Sequence, residues 1–341
     1  MFTGILGNEE LKQILARLRS GGRMPNAMLF AGPEGVGKRL FALEVARSFV
    51  CTAHESDVCG ACPACVRAGQ FELPKPDDRD GYKQVIFSHH PDVGLVTTAK
   101  KLIAVDAIRD LEREAYFRPY EGSGRTFIVD DADKMNAAAS NALLKTLEEP
   151  ASTSHIILVT SRPDTLLSTI RSRCQTFRFA PVSSELIEKH LLEPGVADAD
   201  SAQLAARLSE GSVGRAIAID VVRVRERRAE FLRTMDAAFG RGDFVPGLRV
   251  SEAINEAKNK DNFEQDLELL LTLLHDIWTI KLGGQPDVHL DIVPALEDLA
   301  HKAGPDRLSA LIDEIGLMQE RFVVNINRKL AADALFTAMA A

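Results

Sequence analysis

The run Gly32-Pro33-Glu34-Gly35-Val36-Gly37-Lys38 stands between a short apolar stretch, Ala27 to Ala31, and a periodic one, Arg39 to Val50. That order predicts strand, loop and helix. The glycines let successive backbone N–H groups converge on phosphate oxygens, and the helix N-terminus adds its dipole. Lys38 then reaches the β- and γ-phosphates of a nucleotide. A glycine turn with a chance lysine is the competing reading, but the strand–loop–helix setting favours the phosphate site.

The next position departs from the full pattern. A Ser or Thr hydroxyl should follow the lysine to ligate Mg²⁺, and here Arg39 stands instead, a cation unable to bind a metal. Downstream, Phe127-Ile128-Val129-Asp130-Asp131 ends a strand with Asp130 as the metal-side carboxylate. A hydrolytic site wants glutamate next. Asp131 is one methylene shorter, and an error near ~1 Å can cost about a hundredfold in rate. The expected set is therefore Gly32, Gly35, Gly37, Lys38, Arg39, Asp130 and Asp131, able to hold ATP or ADP, with Mg²⁺ poorly served and hydrolysis weak or absent.

The rest of the chain fits an α/β unit followed by helices. With 341 residues, 45% hydrophobic and 26% charged, it is too long for one core and suits two or three domains. Asn8 caps a first helix with Leu11, Ile14, Leu15 and Leu18 on one face, ended by Gly21-Gly22. Residues 74–80 read as loop, and Val105 to Arg113 as helix. Thr126 to Val129, Ile156 to Thr160 and Thr176 to Phe179 read as strands. Asn136 caps a helix that turns Leu143, Leu144 and Leu147 inward and stops at Pro150. Strands alternating with helices imply a parallel sheet covered on both faces.

After Pro181 the strand signal disappears. Short helices are expected over 183–235, broken at Gly211-Ser212-Val213-Gly214, with longer ones from about 243. Leu267, Leu270, Leu271, Leu274 and Trp278 share a face suited to a bundle core or a collar interface. Two more helices fit Asp306 to Phe322 and Arg328 to Ala340. The arginines 223, 225, 227, 228 and 233 alternate with Glu226 and Glu230, which reads as an ion-paired solvated face before a DNA or subunit contact.

Five cysteines are present, four of them as Cys51-x7-Cys59-x2-Cys62-x2-Cys65. Two successive C-x2-C steps suit a tetrahedral structural Zn²⁺ filled entirely by protein; disulfides or free thiols are the alternative. His54 is a weak substitute ligand, and the His89-His90 pair reads as loop. Cys174 stands alone and reads as core. No stretch approaches the ~20 apolar residues of a spanning helix, and Met1 to Arg19 lacks a signal-peptide pattern. A cytoplasmic chain with no membrane partner is expected. The formal charge of −8 offers no basic field for nucleic acid, so any DNA contact is local or shared.

Together, Gly32–Lys38, the four cysteines, His90-Pro91-Asp92, Asn141 to Pro150 ending Leu-Glu-Glu-Pro, and Ser172-Arg173-Cys174 resemble the bacterial clamp-loader proteins. These are the AAA+ subunits of the DNA polymerase III holoenzyme. The likeness runs from about Leu6 to Phe179 and more loosely to Asn325–Leu330.

The resemblance implies a zinc-bearing AAA+ nucleotide-binding-fold domain over 1–180, a helical lid over 181–240 and a helical collar over 241–341. It implies partners too: motor (tau/gamma) and delta subunits in a ring, with the sliding clamp and primer–template DNA reached through the complex. The motor type keeps Ser or Thr after the lysine, Asp-Glu at the second motif and often a long tail. Arg39 and Asp131 make the delta-prime type the better match, the motor being the alternative. By that resemblance Arg173 is an arginine finger acting on the ATP of the adjacent motor subunit. The motor's sensor arginine would fall at Gly214, one position before Arg215; a helix-start role suits Arg215 as well.

Overall fold

The computed structural model describes residues 1–54, 57–78, 80–99, 101–193, 198–256, 262–321 and 327–340, with backbone alone at 320 and 321. Phe322, Asn325 and Ile326 lie outside the described residues. Two compact units are formed: Met1–Ile187 with Glu210–Arg215, and Glu188–Ser209 with Ala216–Ala341.

The first unit runs α1 (Glu9–Ser20), β1 (Ala27–Ala31), α2 (Lys38–Val50), α3 (Pro63–Ala68), β2 (Ile86–Phe87), β3 (Val93–Val96) and α4 (Val105–Ala115). It continues through β4 (Arg125–Val129), α5 (Ala137–Glu148), β5 (Ser154–Thr160), α6 (Ser168–Arg171) and β6 (Gln175–Arg178). The sheet order is β2-β3-β4-β5-β1-β6. Among the described strands of this sheet, β2 pairs antiparallel with β3 and the other neighbours pair parallel.

All of β1 is buried, as a strand covered on both faces must be. Its alternation splits the core. Leu29 joins Ile108, Leu111 and Leu143 on one face, while Met28 and Phe30 join Leu15, Phe41 and Val45 on the other. Helices therefore cover both sides of the expected parallel sheet. The register Ala31↔Thr160 and Val129↔Leu158 sets the carboxyl ends of β1, β4 and β5 along one edge. Crevices at such edges are where open parallel sheets bind ligands.

Three local expectations change. Asn8 precedes α1 as expected but makes no capping bond. Its side chain instead accepts from Ala180 N at 2.9 Å and donates to Ala180 O at 3.1 Å, which ties the chain start to the end of β6. Between the stretch 74–80, read as loop, and α4 lie two unexpected strands, β2 and β3. Two residues are too few to show a period, and Gly94 interrupts the apolar run of β3. The arginine-rich segment belongs to one long helix rather than short ones, since neither Gly nor Pro breaks it before residue 240.

The later helices are α7 (Ser184–Leu191), α8 (Ala199–Leu208), α9 (Val213–Ala218), α10 (Val221–Arg241), α11 (Val245–Asn255), α12 (Phe263–Lys281), α13 (Val293–Lys302), α14 (Pro305–Arg321) and α15 (Arg328–Ala338). Within the second unit, Leu267, Leu270 and Leu274 of α12 are buried against Phe231, Leu308 and Leu335. Leu271 and Trp278 are partly buried at the margin of this core. The arginines of α10 are ion-paired across elements: Arg223 and Arg227 meet the buried Asp266 of α12, and Arg228 meets Asp291. Among the described residues, no helix is long and apolar enough to cross a membrane.

Candidate functional site

The phosphate loop joins β1 to α2, as the sequence predicts. Gly35 needs its glycine twice over. Its φ is +72°, and a Cβ there would lie 2.0 Å from Ser212 Oγ. Gly214 N also donates to Gly35 O at 3.3 Å, so the turn 212–214 closes over the loop. At Gly32 a Cβ would meet Phe179 O at 2.5 Å.

Lys38 is buried and folds back on the loop, donating to Gly32 O at 2.7 Å and to Pro33 O at 2.5 Å. Burial lowers its pKa, against the raising influence of Glu34, Asp130, Asp131 and Asp133.

Arg39 Nη1 sits 3.3 Å from Asp130 Oδ2, so the second motif is brought to the loop, with an arginine on its carboxylate. Burial raises the Asp130 pKa, and the Arg39 charge opposes that rise. Asp131 follows in a left-handed conformation and accepts from Lys134 Nζ at 2.7 Å. That bond raises the Lys134 pKa despite desolvation. One group at this edge had no motif to announce it: Thr160 Oγ1 donates to Asp133 Oδ1 at 2.7 Å, and Arg162 Nη2 donates to Asp133 Oδ2 at 2.8 Å. The only available signal was Thr160 ending an apolar strand.

Arg173 is placed elsewhere, just past α6. Its Nη1 donates to Thr169 O at 2.8 Å and its Nη2 pairs with the Glu148 carboxylate. Arg215 lies in the first turn of α9, where its backbone N–H donates to Ser212 Oγ at 3.1 Å and its guanidinium lies 3.7 Å from Glu210. Cys174 is buried, which pushes its thiol to about 12 and leaves it inert.

The four clustered cysteines converge. Cys51, Cys59, Cys62 and Cys65 place their sulfurs within 4.8 Å of one another, and none is in a disulfide. Cys51 Sγ and Cys59 Sγ are 3.7 Å apart. Ligands at ~2.3 Å around a tetrahedral Zn²⁺ are separated by about 3.8 Å, so the donors fit a metal ion. Cys62 N donates to Cys59 Sγ and Cys65 N to Cys62 Sγ, at 3.2 and 3.5 Å. Burial pushes the Cys62 thiol up, but bonds from Cys65 N and Thr52 outweigh it and bring it to about 5. Burial raises that of Cys65. His54 is not one of the converging ligands. His89 is occupied by Gln70 and Glu72, and His90 is buried, its Nδ1 3.2 Å from Asp92 N.

A family profile described as DNA polymerase III, delta subunit, matches residues 7–183, and one for the C-terminal part of the delta subunit matches 224–339. DNA polymerase III subunit delta' of Bacillus subtilis is 28% identical over 309 residues, covering 89% of this chain and 88% of that protein. The Escherichia coli subunit delta' is 28% identical over 326 residues, covering 94% and 90%. The Escherichia coli subunit tau is 29% identical over 305 residues but is covered over only 44% of its length. With both profiles matched in order and the delta' relatives covered nearly throughout, the chain belongs to the DNA polymerase III delta-subunit family, in its delta-prime branch.

Proposed function

We propose that the chain is a stator-like ring subunit of a clamp loader, which helps place a sliding clamp on primed DNA without itself driving the reaction. The observation that carries this reading is the Arg39–Asp130 ion pair. A hydrolysing site reserves that carboxylate for Mg²⁺, and a guanidinium paired with it competes with the metal. Gly32, Gly35, Gly37 and Lys38 would hold the phosphates of ATP or ADP if one binds, and would supply charge neutralisation alone. Asp131 shares its carboxylate with Lys134.

In this reading Arg173 serves the neighbouring motor (tau/gamma) subunit, whose bound ATP supplies the reacting phosphate. The Arg173 guanidinium neutralises charge that develops on the transferred group. Its exposure beside α6 supports such a role. The delta subunit completes the ring, and the clamp and primer–template DNA are met through the assembly. The cysteine cluster holds Zn²⁺ as a structural staple. The change to all-helical structure after β6 supports the end of the AAA+ core (1–180) near 180; the further division into a lid over 181–240 and a collar over 241–341 is part of the proposal. A replication role of this kind places the chain in the cytoplasm.

Two measurements test the reading. ATP turnover by the isolated chain should be at background; robust turnover abolished by Lys38→Ala would establish the motor reading instead. In the reconstituted loader, Arg173→Ala should depress DNA-stimulated ATP hydrolysis with assembly intact. Unchanged hydrolysis would remove the finger role.

A further inference from the structure

Glu148 is the last residue of α5, within the Leu147-Glu148-Glu149-Pro150 ending. A carboxylate is poorly placed there, because the free carbonyls at a helix C-terminus carry partial negative charge. Arg173 offsets that charge. Its Nη2 pairs with the Glu148 carboxylate while its Nη1 donates to Thr169 O at 2.8 Å. The guanidinium is thereby pinned on two acceptors from two helices, α5 and α6. These contacts use two of its five N–H donors. The Arg173 side chain keeps a relative exposure of 33%, so the group is anchored but open to solvent.

We propose that Glu148 is a positioning residue for Arg173: its carboxylate selects one orientation of the guanidinium, so that the finger meets a neighbour's phosphate already aimed. The proposal rests on the reading of Arg173 as a finger in trans. An arginine side chain has many rotamers, and fixing it only when the phosphate arrives would charge that ordering to the catalysed step. Glu148 and Thr169 fix it beforehand. The pair is exposed enough for solvent to weaken it, so the carboxylate orients the guanidinium without cancelling its charge toward a stronger anion.

The test uses the reconstituted loader carrying Glu148→Ala, Glu148→Gln, Arg173→Ala or the Arg173→Ala/Glu148→Ala double substitution. Assembly, KM for ATP and kcat of DNA-stimulated hydrolysis are measured for each. Glu148→Ala should lower kcat about three- to tenfold with KM and assembly unchanged, as loss of orientation predicts. Glu148→Gln keeps an acceptor oxygen and should retain at least about half the activity. The double substitution should match Arg173→Ala alone, because Glu148 acts only through the arginine. If Arg173→Ala slows hydrolysis while both Glu148 substitutions leave kcat untouched, the positioning role is overturned and the finger stands. A double substitution falling well below Arg173→Ala also overturns it. If Arg173→Ala itself changes nothing, the finger reading fails and Glu148 loses its role with it. Should Glu148→Ala not assemble, Glu148→Ser decides, its hydroxyl being too short to reach the guanidinium: lowered kcat with KM unchanged supports the proposal, and kcat at the parent level overturns it.

Discussion

Arg39 Nη1 and Asp130 Oδ2 lie 3.3 Å apart, joining the first turn of α2 to the end of β4. The guanidinium thus sits on the carboxylate that would otherwise help hold a divalent cation. Arg39→Thr should free Asp130 and supply the missing hydroxyl. Nucleotide binding by the variant should then be at least about fivefold tighter with Mg²⁺ than with EDTA, a gain of ~1 kcal/mol, whereas the parent chain should show no such difference. Calorimetric titration in the two buffers checks this. Hydrolysis should stay at background, since Lys134 still holds Asp131.

The cysteine cluster makes a second prediction. Protein purified with reduced thiols should carry one Zn²⁺ per chain by metal analysis. Cys62→Ser should lose it, because three thiolates no longer close the tetrahedron. Beyond the cluster, Ala68 of α3 is buried with Ala46 and Val50 of α2. Chelation should therefore raise hydrogen exchange across 51–68 and leave the strands of the sheet protected. Uniform exchange in the presence and absence of chelator would count against a structural metal.

Asp92 is buried and accepts the backbone N–H groups of Tyr120, Glu121 and Gly122, each at 2.8 Å, with Arg125 Nε 3.6 Å away. Arg125 is buried too. Asp92→Ala would leave three backbone donors without an acceptor and take one of two carboxylates from Arg125, which keeps Glu114 at 3.3 Å. The expected loss is about 3–5 kcal/mol, read as a lowered urea midpoint for the α/β unit. A change below ~1 kcal/mol would mean that water replaces the carboxylate there.

Stability should fall in mild acid, and His289 supplies the reason. Its Nε2 lies 3.0 Å from Thr272 Oγ1, while its Nδ1 is buried with no partner. Burial, helped by Arg228 and opposed by Asp276 and Asp291, lowers its pKa to about 4. His155, stacked on Phe49, is also lowered by burial. The unfolded chain binds these protons near pH ~6.5, before the folded chain does. Stability is therefore full above ~6.5 and is lost as pH falls toward the folded value, on the order of 2 kcal/mol from His289 by pH 5. Thermal midpoints from pH 7 to 5 should drop, and His289→Gln should flatten the profile.

The sequence by itself determined the strand–loop–helix around Lys38, the four-cysteine spacing, the three parallel strands and the helical second half. Each is encoded within a few residues, where periodicity, glycine placement or ligand spacing acts locally. The strands β2 and β3 escaped because they are too short or too interrupted to show a period.

Only the tertiary structure decided where the longer side chains spend their charge. It placed Arg39 on Asp130, Arg173 on Glu148, Ser212 over Gly35 and Asn8 on Ala180 rather than on its own helix. These partners are distant in the chain, by 91 residues for Arg39 and 172 for Asn8. No local pattern specifies them. They are set by how the sheet and its covering helices bring helix ends and strand ends together.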